Sequence, residues 1–445
     1  MRKLLLIIFG VISINMVFAQ KPLTFIEVDT TTYQAYLISD WDKIIDVGNR
    51  AIDNNIDYYF LRLRIAYAWF KKNRYALAIP HYEKAIELNN NSAIILAYLY
   101  NCYQYTGRKN DAVKLANKYP EVLNEYFNKK INKKFTRVDF NTTQAFASNS
   151  NLQEEIIETA PTTIDGTQKL LNSYINYHLN IGHRIGKSII VSHSTNLLYK
   201  NEFAYTLFNL YPYISEAQII RQINYTIKVD ITPTEGLTIS PIVSYLNYRI
   251  PIFLEYGTGS GKNREVYQYN SFNEIALGII ASKYIKFFKF SMAASHAEFN
   301  SGKQNTLAGS IAVYPLSNLN LYYNLNGYLH MQHQGVESIK QFIQRHELGV
   351  KILPNLWMEG YVMAGEFNNF YDPFSTITYN SIEKYNSILG LNIIVPFYKI
   401  NLTLFAAYKI YHSKSIFSPF KNTFETYNSK NISYQSFTGG LSWKF

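Results

Sequence analysis

Ser433-Tyr-Gln-Ser-Phe-Thr-Gly-Gly-Leu-Ser-Trp-Lys-Phe445 reads as one strand. Side chains alternate across a strand, so Phe437, Leu441, Trp443 and Phe445 share one face, and Tyr434, Ser436, Thr438, Ser442 and Lys444 share the other. On the edge of a soluble sheet, such an aromatic face invites aggregation. In a strand that closes a membrane barrel, the same face sets aromatic rings at the lipid interface.

The period of two runs upstream to about Lys134. Ile223, Tyr225, Ile227, Val229 and Ile231 alternate with Gln222, Asn224, Thr226, Lys228 and Asp230, and Leu319, Leu321, Tyr323, Leu325, Leu329 and Met331 alternate with Asn318, Asn320, Asn324, Asn326 and His330. Ile175, Tyr177, Leu179 and Ile181 against Asn176, His178 and Asn180 repeat the pattern, as do Ile400, Leu402 and Leu404 against Lys399, Asn401 and Thr403. A soluble antiparallel sandwich alternates as well, so strand length and connections have to decide. The pattern predicts about 14 antiparallel strands, most of them reaching the ~9 to 11 residues that cross a bilayer at a tilt. Their starts fall near Lys134, Gln168, Lys187, Tyr213, Leu237, Tyr267, Lys286, Gln304, Asn318, Ile339, Leu356, Tyr379, Lys399 and Ser433.

Connections after even-numbered strands are tight, as at His183–Gly186, Thr232–Gly236, Pro315–Asn318, Leu353–Asn355 and Pro396–Lys399. Several after odd-numbered strands read as long loops: Asn149–Thr167, Lys200–Pro212, Ile250–Val266, Asn368–Thr378 and Ser413–Ile432. Short turns at one end and longer loops at the other are the pattern of outer-membrane barrels, and they assign the short-turn end to the periplasm. The barrel is therefore expected over 134–445, with Phe445 on the periplasmic side.

Composition agrees with export to a membrane. Arg2 and Lys3 precede an apolar run from Leu4 to Phe18, and Val17-Phe18-Ala19 gives a small-residue cleavage pattern, so residues 1–19 are expected to be a secretory signal and 20–30 a linker. The apolar run falls short of the ~20 residues of a spanning helix, and no later segment reaches that length, so entry into a membrane requires a barrel. The net charge of +11 is scattered without a dense basic block, which points away from nucleic acid and toward anionic lipid or polysaccharide. Cys102, the one cysteine, excludes an intramolecular disulfide framework and sits in an apolar helical pattern as a small hydrophobe.

Between about Thr31 and Asn128 the period is helical. Tyr75-Ala-Leu-Ala78-Ile-Pro-His-Tyr82-Glu-Lys-Ala85 sets small and aromatic residues where two helices can approach closely with rings filling the gaps. A shift of about 34 residues aligns Ala51 with Ala85, Trp69 with Tyr103, Asn73 with Gly107, Trp41 with Tyr75 and Ala78 with Ala112. These positions resemble two to three tetratricopeptide repeats, with Asn73 and Gly107 at the left-handed turn between paired helices. The resemblance implies a helical domain over 31–128, placed in the periplasm, that either docks a protein partner or serves as a packed spacer.

Motifs for chemistry are weak. Gly257-Thr-Gly-Ser-Gly261-Lys262-Asn263 lacks the first glycine and the Ser or Thr of a phosphate loop. Arg345-His346-Glu347-Leu348 opens like a zinc-hydrolase helix, but Val350 stands where the second His belongs and the local period is two. His193-Ser194 and His296 with Glu298 lack the spacing of a rim-sited hydrolase. The sequence is therefore expected to be non-enzymatic, with no cofactor and no metal.

Thr438-x-Gly440-x-x-Trp443-x-Phe445 resembles the C-terminal signal read by the outer-membrane barrel assembly machinery. With the helical segment, the chain resembles periplasmic tetratricopeptide domains fused to outer-membrane barrels, a layout shared by exopolysaccharide exporters and YaiO-type proteins. The resemblance implies an α plus all-β chain with outer-membrane lipid, the assembly machinery and a periplasmic protein as partners. The polar lumen faces suit polar solutes or polysaccharide, and equally a lumen closed by its own side chains.

Overall fold

The computed structural model describes residues 23–89, 92–131, 133–148, 154, 161–209, 211–214, 218–256, 264–299, 302–334, 337–419 and 427–445. The expected signal segment and the Gly257–Asn263 loop lie outside the described residues.

Seven helices come first: α1 Phe25–Leu37, α2 Trp41–Asp53, α3 Tyr59–Lys71, α4 Tyr75–Leu88, α5 Ala93–Tyr105, α6 Lys109–Lys118 and α7 Pro120–Tyr126. The first begins at Phe25, so much of the stretch expected as linker is helix. The cause is local: Thr24 accepts from the Glu27 N–H while the Glu27 side chain accepts from the Thr24 N–H, a reciprocal cap that starts the helix early. Among the first six helices the odd ones start at Phe25, Tyr59 and Ala93 and the even ones at Trp41, Tyr75 and Lys109, each series at intervals of 34 residues. Ser39, Asn73 and Gly107 lie in the turns within the three pairs, and all have positive φ (61°, 58° and 74°), the left-handed conformation that reverses a chain between helices.

The aligned positions form the packing core of this domain. Ala51, Ala78, Ala85 and Ala112 are fully buried, where their small size lets neighbouring helices close up. Tyr82 and Tyr103 are buried beside them, with Trp69 packed against the clusters on both sides and Trp41 against the first. Truncating a buried ring of this size costs ~3 to 5 kcal/mol. Cys102 is buried and unpaired in the same core. Pro80 stands within α4 without ending it.

The strands are β1 Phe135–Ala147, β2 Gly166–Ile185, β3 Ile189–Phe208, β4 Tyr211–Ile214, β5 Gln218–Ile231, β6 Leu237–Tyr256, β7 Arg264–Ile285, β8 Phe288–Phe299, β9 Gly302–Val313, β10 Leu321–Gln334, β11 Glu337–Leu353, β12 Leu356–Asp372, β13 Ile377–Phe397, β14 Leu402–Pro419 and β15 Tyr427–Lys444. β4 is a short return along β3; the other fourteen form a closed antiparallel barrel. Closure is made by β1 and β15, in register from Arg137 opposite Lys444 to Ala147 opposite Tyr434. No sheet edge remains along this seam, the condition for a sheet to stand in hydrocarbon.

Sidedness is inverted relative to a soluble sheet. Ile223 and Tyr225 are exposed while Gln222, Asn224 and Thr226 are buried, and Leu329 is exposed while Asn326 and His330 are buried. Apolar side chains outside and polar ones inside make this a membrane-spanning barrel of the outer-membrane type.

At the closing strand, Trp443 and Phe445 face outward with ring centroids 5.4 Å apart, and Phe445 also meets Phe135 at 6.5 Å. Thr438 faces Thr143 across the seam, oxygen to oxygen 2.8 Å. Gly440 is opposite Phe405, whose ring lies over it: a Cβ there would sit 2.4 Å from Phe405 Cζ.

The strands run further than expected at the end remote from the helices. Much of the predicted loops Lys200–Pro212, Ile250–Val266, Asn368–Thr378 and Ser413–Ile432 is strand, because an antiparallel ladder satisfies its own backbone groups beyond the bilayer as well as within it. Lys399, expected in a strand, lies in a single helical turn at Tyr398–Ile400.

Candidate functional site

The helical domain is seated on the short-turn end of the barrel. Contacts come from the turns within the second and third helix pairs and the residues beside them, and from further along α6. The Ala76 N–H donates to the Ser317 carbonyl (2.9 Å), Asn318 Nδ2 to the Asn73 carbonyl (2.9 Å), and the Leu319 N–H to the Tyr105 carbonyl (3.2 Å). Further round the rim, Asn117 Nδ2 donates to the Lys187 carbonyl (2.9 Å), and Lys114 pairs with Glu235 (3.1 Å). Asp111 joins both parts: one carboxylate oxygen accepts from the Gly236 N–H (2.9 Å) and the other from Arg108 Nε (2.7 Å). Behind this contact Arg108 lies 3.4 Å from Glu83, which also accepts from the Tyr103 hydroxyl (2.7 Å). Burial pushes the Glu83 carboxyl above its usual range, with Arg108 and Tyr103 pulling it back.

At the other end part of the wall is packed into the lumen. Gly365 in β12 has φ 136°, and a Cβ there would stand 2.7 Å from the Phe342 carbonyl oxygen. Beyond this break the β12–β13 register shifts twice, and the end of the hairpin turns into the barrel. Phe367, Phe370, Tyr371 and Asp372 are buried among lumen-facing Ile242, Leu246, Ile343 and Met363. Tyr371 reaches Ser244 on β6 (3.0 Å), and Asp372 closes the tip by accepting from the Phe374 N–H (2.9 Å) and the Ser375 hydroxyl (2.6 Å). The returning strand is pinned by Glu383, which accepts from the Leu171 N–H (3.0 Å), the Ser413 hydroxyl (3.1 Å) and the Tyr434 hydroxyl. The rim narrows further where β14 pairs directly with β2, Phe417 opposite Gln168. This apolar filling departs from the polar lumen expected from alternation alone.

Between the helical floor and the hairpin tip lies a cavity of about 1680 Å³. Asn73, Tyr75 and Gly107 form part of its floor, Phe374 and Ser375 its roof, and the inward residues of β5–β15 its wall. Four cations in or beside it are paired: Arg108 with Asp111, Lys228 with Asp230 (3.3 Å), Arg345 with Glu347 (2.7 Å), and Arg137 with Asp139 (2.7 Å). Glu359 takes hydrogens from the Tyr322 hydroxyl and Asn392 Nδ2. Lys109, Lys289, Lys351 and Lys444 also line the cavity with no ion pair among the described residues. Lys351 sits 4.6 Å above the Trp357 ring. The wall is therefore cationic, with amide and aromatic groups between the charges.

Arg345 and Glu347 thus form a lumen ion pair, with His346 on the other face beside the Tyr323 hydroxyl (2.6 Å). His178 faces Asn196 (2.9 Å), whereas His183 stacks on His193. Among the described residues no group of three or more His, Cys, Asp or Glu is placed to hold a metal ion.

No family model matches the chain, and no curated protein does. Solved structures similar to it include a FadL homologue from Pseudomonas aeruginosa, at 10% identity over 70% of this chain and 90% of that one with a TM-score of 0.41. The Acinetobacter baumannii outer membrane protein Omp33 is 9% identical over 70% of this chain and 99% of that one, with a TM-score of 0.31. A bacterial polysaccharide outer membrane secretin is 9% identical over 69% and 98%, with a TM-score of 0.32.

Proposed function

We propose that this is a non-catalytic outer-membrane protein that binds a polar solute or a segment of polysaccharide between a periplasmic helical domain of tetratricopeptide type and a movable lumen plug. The observation that carries the reading is the cavity itself, polar and cationic, with a separate element at each end. Ligand sites are typically concave and of ~300 to 1,000 Å³, so this one has room for an extended ligand. Helices on the short-turn side suit a periplasmic position, where the domain meets either a protein partner or the ligand first.

The inward hairpin and the narrowed rim favour a second reading, a non-conducting envelope scaffold in which the helices do the binding. Planar-bilayer recording separates the two. For the solute reading, the intact protein is expected to be silent, and replacing Phe367–Ile377 with a short Gly-Ser turn is expected to give stable current that polar oligosaccharide blocks. Silence in both proteins, in preparations that show the heat-modifiable mobility of a closed barrel, overturns passage and leaves the scaffold.

A further inference from the structure

We propose that Lys109, Arg137 and Lys444 form an anion-binding corner of the vestibule that holds the acidic group of a charged saccharide. The inference rests on the solute-binding reading and specifies its ligand.

Arg137 and Lys444 are directly opposite each other on the seam between β1 and β15, and both point inward. Like charges in facing positions of an antiparallel pair are unfavourable, so a barrel seam gains nothing structural from this pair. Among the described residues the carboxylate beside them, Asp139, is turned to other partners: its Oδ2 accepts from Arg137 Nε (2.7 Å) and from Asn180 Nδ2 (2.8 Å). Among the described residues Lys444 and Lys109 have no ion pair, and docking brings Lys109, in the first turn of α6, to the same cavity within electrostatic reach of Lys444 and Arg137. The positive end of the α6 dipole adds to their field. Two unpaired ammonium groups beside a guanidinium match an oxyanion, which takes several charge-assisted hydrogen bonds at once.

The rest of the cavity says what carries that anion. Asn324 and Asn326 offer amides, and Trp357 and Tyr398 offer ring faces, the groups that hold hydroxyls and the apolar faces of sugar rings. A uronic-acid carboxylate and a sugar phosphate present the same chemistry to the corner.

Desolvation within the barrel mouth first, then Lys444 of β15 and Arg137 of β1, lower the Lys109 ammonium from its usual range, with Asp139 of β1 opposing. The Lys109 side chain stays exposed to the vestibule, where a ligand can reach it.

The test is calorimetric titration of the full-length protein in detergent with tetragalacturonate, glucose 1-phosphate and maltotetraose. Tetragalacturonate is expected to bind the native protein, and Lys109→Gln roughly tenfold more weakly. Lys109→Arg is expected to bind it as the native protein does, because arginine keeps the charge. Binding of glucose 1-phosphate at the same corner, lost in Lys109→Gln, supports a general oxyanion site; its absence restricts the site to carboxylated sugars. Unaltered affinity for tetragalacturonate in Lys109→Gln overturns the proposal. Maltotetraose binding as tightly as tetragalacturonate overturns it too while sparing the solute reading, and no binding of any ligand overturns both.

Discussion

The Tyr434 hydroxyl, on the strand that closes the barrel, donates to the buried carboxylate of Glu383 at the foot of the inward hairpin. The bond ties the hairpin packed into the lumen to the strand that completes the wall. Leu171 and Ser413 donate to the same carboxylate, so three strands of the wall hold one residue of the plug.

This convergence predicts how the plug is released. Tyr434→Phe removes one donor and leaves two, and Glu383→Ala removes the acceptor from all three. A hydrogen bond to a charged group contributes ~1.5 to 3 kcal/mol, so the first change is expected to loosen the hairpin and the second to free it. Brief openings from Tyr434→Phe and long ones from Glu383→Ala, in bilayer recordings at equal protein, are the expected ranking. Equal silence from both removes the latch.

Gly365 supplies the bend on which that hairpin turns. Gly365→Val would drive its side chain into the Phe342 carbonyl and Ile343 and force a left-handed φ on a β-branched residue. The barrel is expected to persist while the hairpin leaves the lumen. Trypsin cleavage near Lys384 should then become rapid in intact, heat-modifiable protein, whereas the native chain resists it.

Asp111 predicts a different failure, at the other end. Asp111→Ala strips a partner from the largely buried Arg108 and an acceptor from Gly236 in the barrel turn. A buried charge left with no partner costs ~3 to 5 kcal/mol; Arg108 keeps Glu83 at 3.4 Å, so the loss is expected to be smaller than that. The helices are expected to melt before the barrel and at a lower temperature than in the native protein, visible as a separate helical step in circular dichroism. A single unshifted transition speaks against Asp111 as the tie.

The helical domain should also weaken in acid. Arg62 Nη1 lies 3.2 Å from His81 Nδ1, a contact that needs a neutral ring to accept. Burial, then Arg62, hold His81 down at about 4. An unfolded histidine titrates near ~6.5, so between these values the unfolded chain takes up the proton and the folded one does not. Stability from this group is complete above about 6.5 and falls as pH drops toward 4, by up to roughly 3 kcal/mol. His81→Gln is expected to flatten the fall in helical melting temperature between pH 7 and 5; an identical fall in both proteins rejects His81 as its source.

Alternation made the barrel readable, because inside and outside residues differ in polarity at Ile223 and Asn224 as at Leu329 and His330. Spacing made the helix pairs readable, since Asn73 and Gly107 occupy equivalent turns. The plug was not readable in the same way. A strand pattern reports two faces of a local segment, whereas the inward turn of 365–385 depends on contacts with Ser244, Leu171 and Tyr434, far away in the chain. One signal was present: Phe367-Asn-Asn-Phe370-Tyr-Asp-Pro-Phe374 is too aromatic for a loop in water and follows a glycine. The vestibule was half legible. Lys228 and Lys444 fall on the polar faces of strands, but Lys109 looks like any lysine on a helix surface until docking turns it toward the lumen.

The terminal strand gives the last prediction. Removing Trp443–Phe445 takes away the Lys444 N–H that donates to the Asn401 carbonyl (3.0 Å) and the Phe445 N–H that donates to the Thr136 carbonyl (3.3 Å). It also deletes the outward ring pair that meets Phe135. Backbone groups at the end of the seam would then face lipid without partners, at a cost of several kcal/mol each. The truncated chain is expected to be depleted from the outer-membrane fraction and to lose heat-modifiable mobility. Trp443→Ala, which keeps the backbone bonds, is expected to reduce insertion only partly. Normal membrane levels of the truncation would show that β1 and β15 close without their last residues and that the aromatic end has another use.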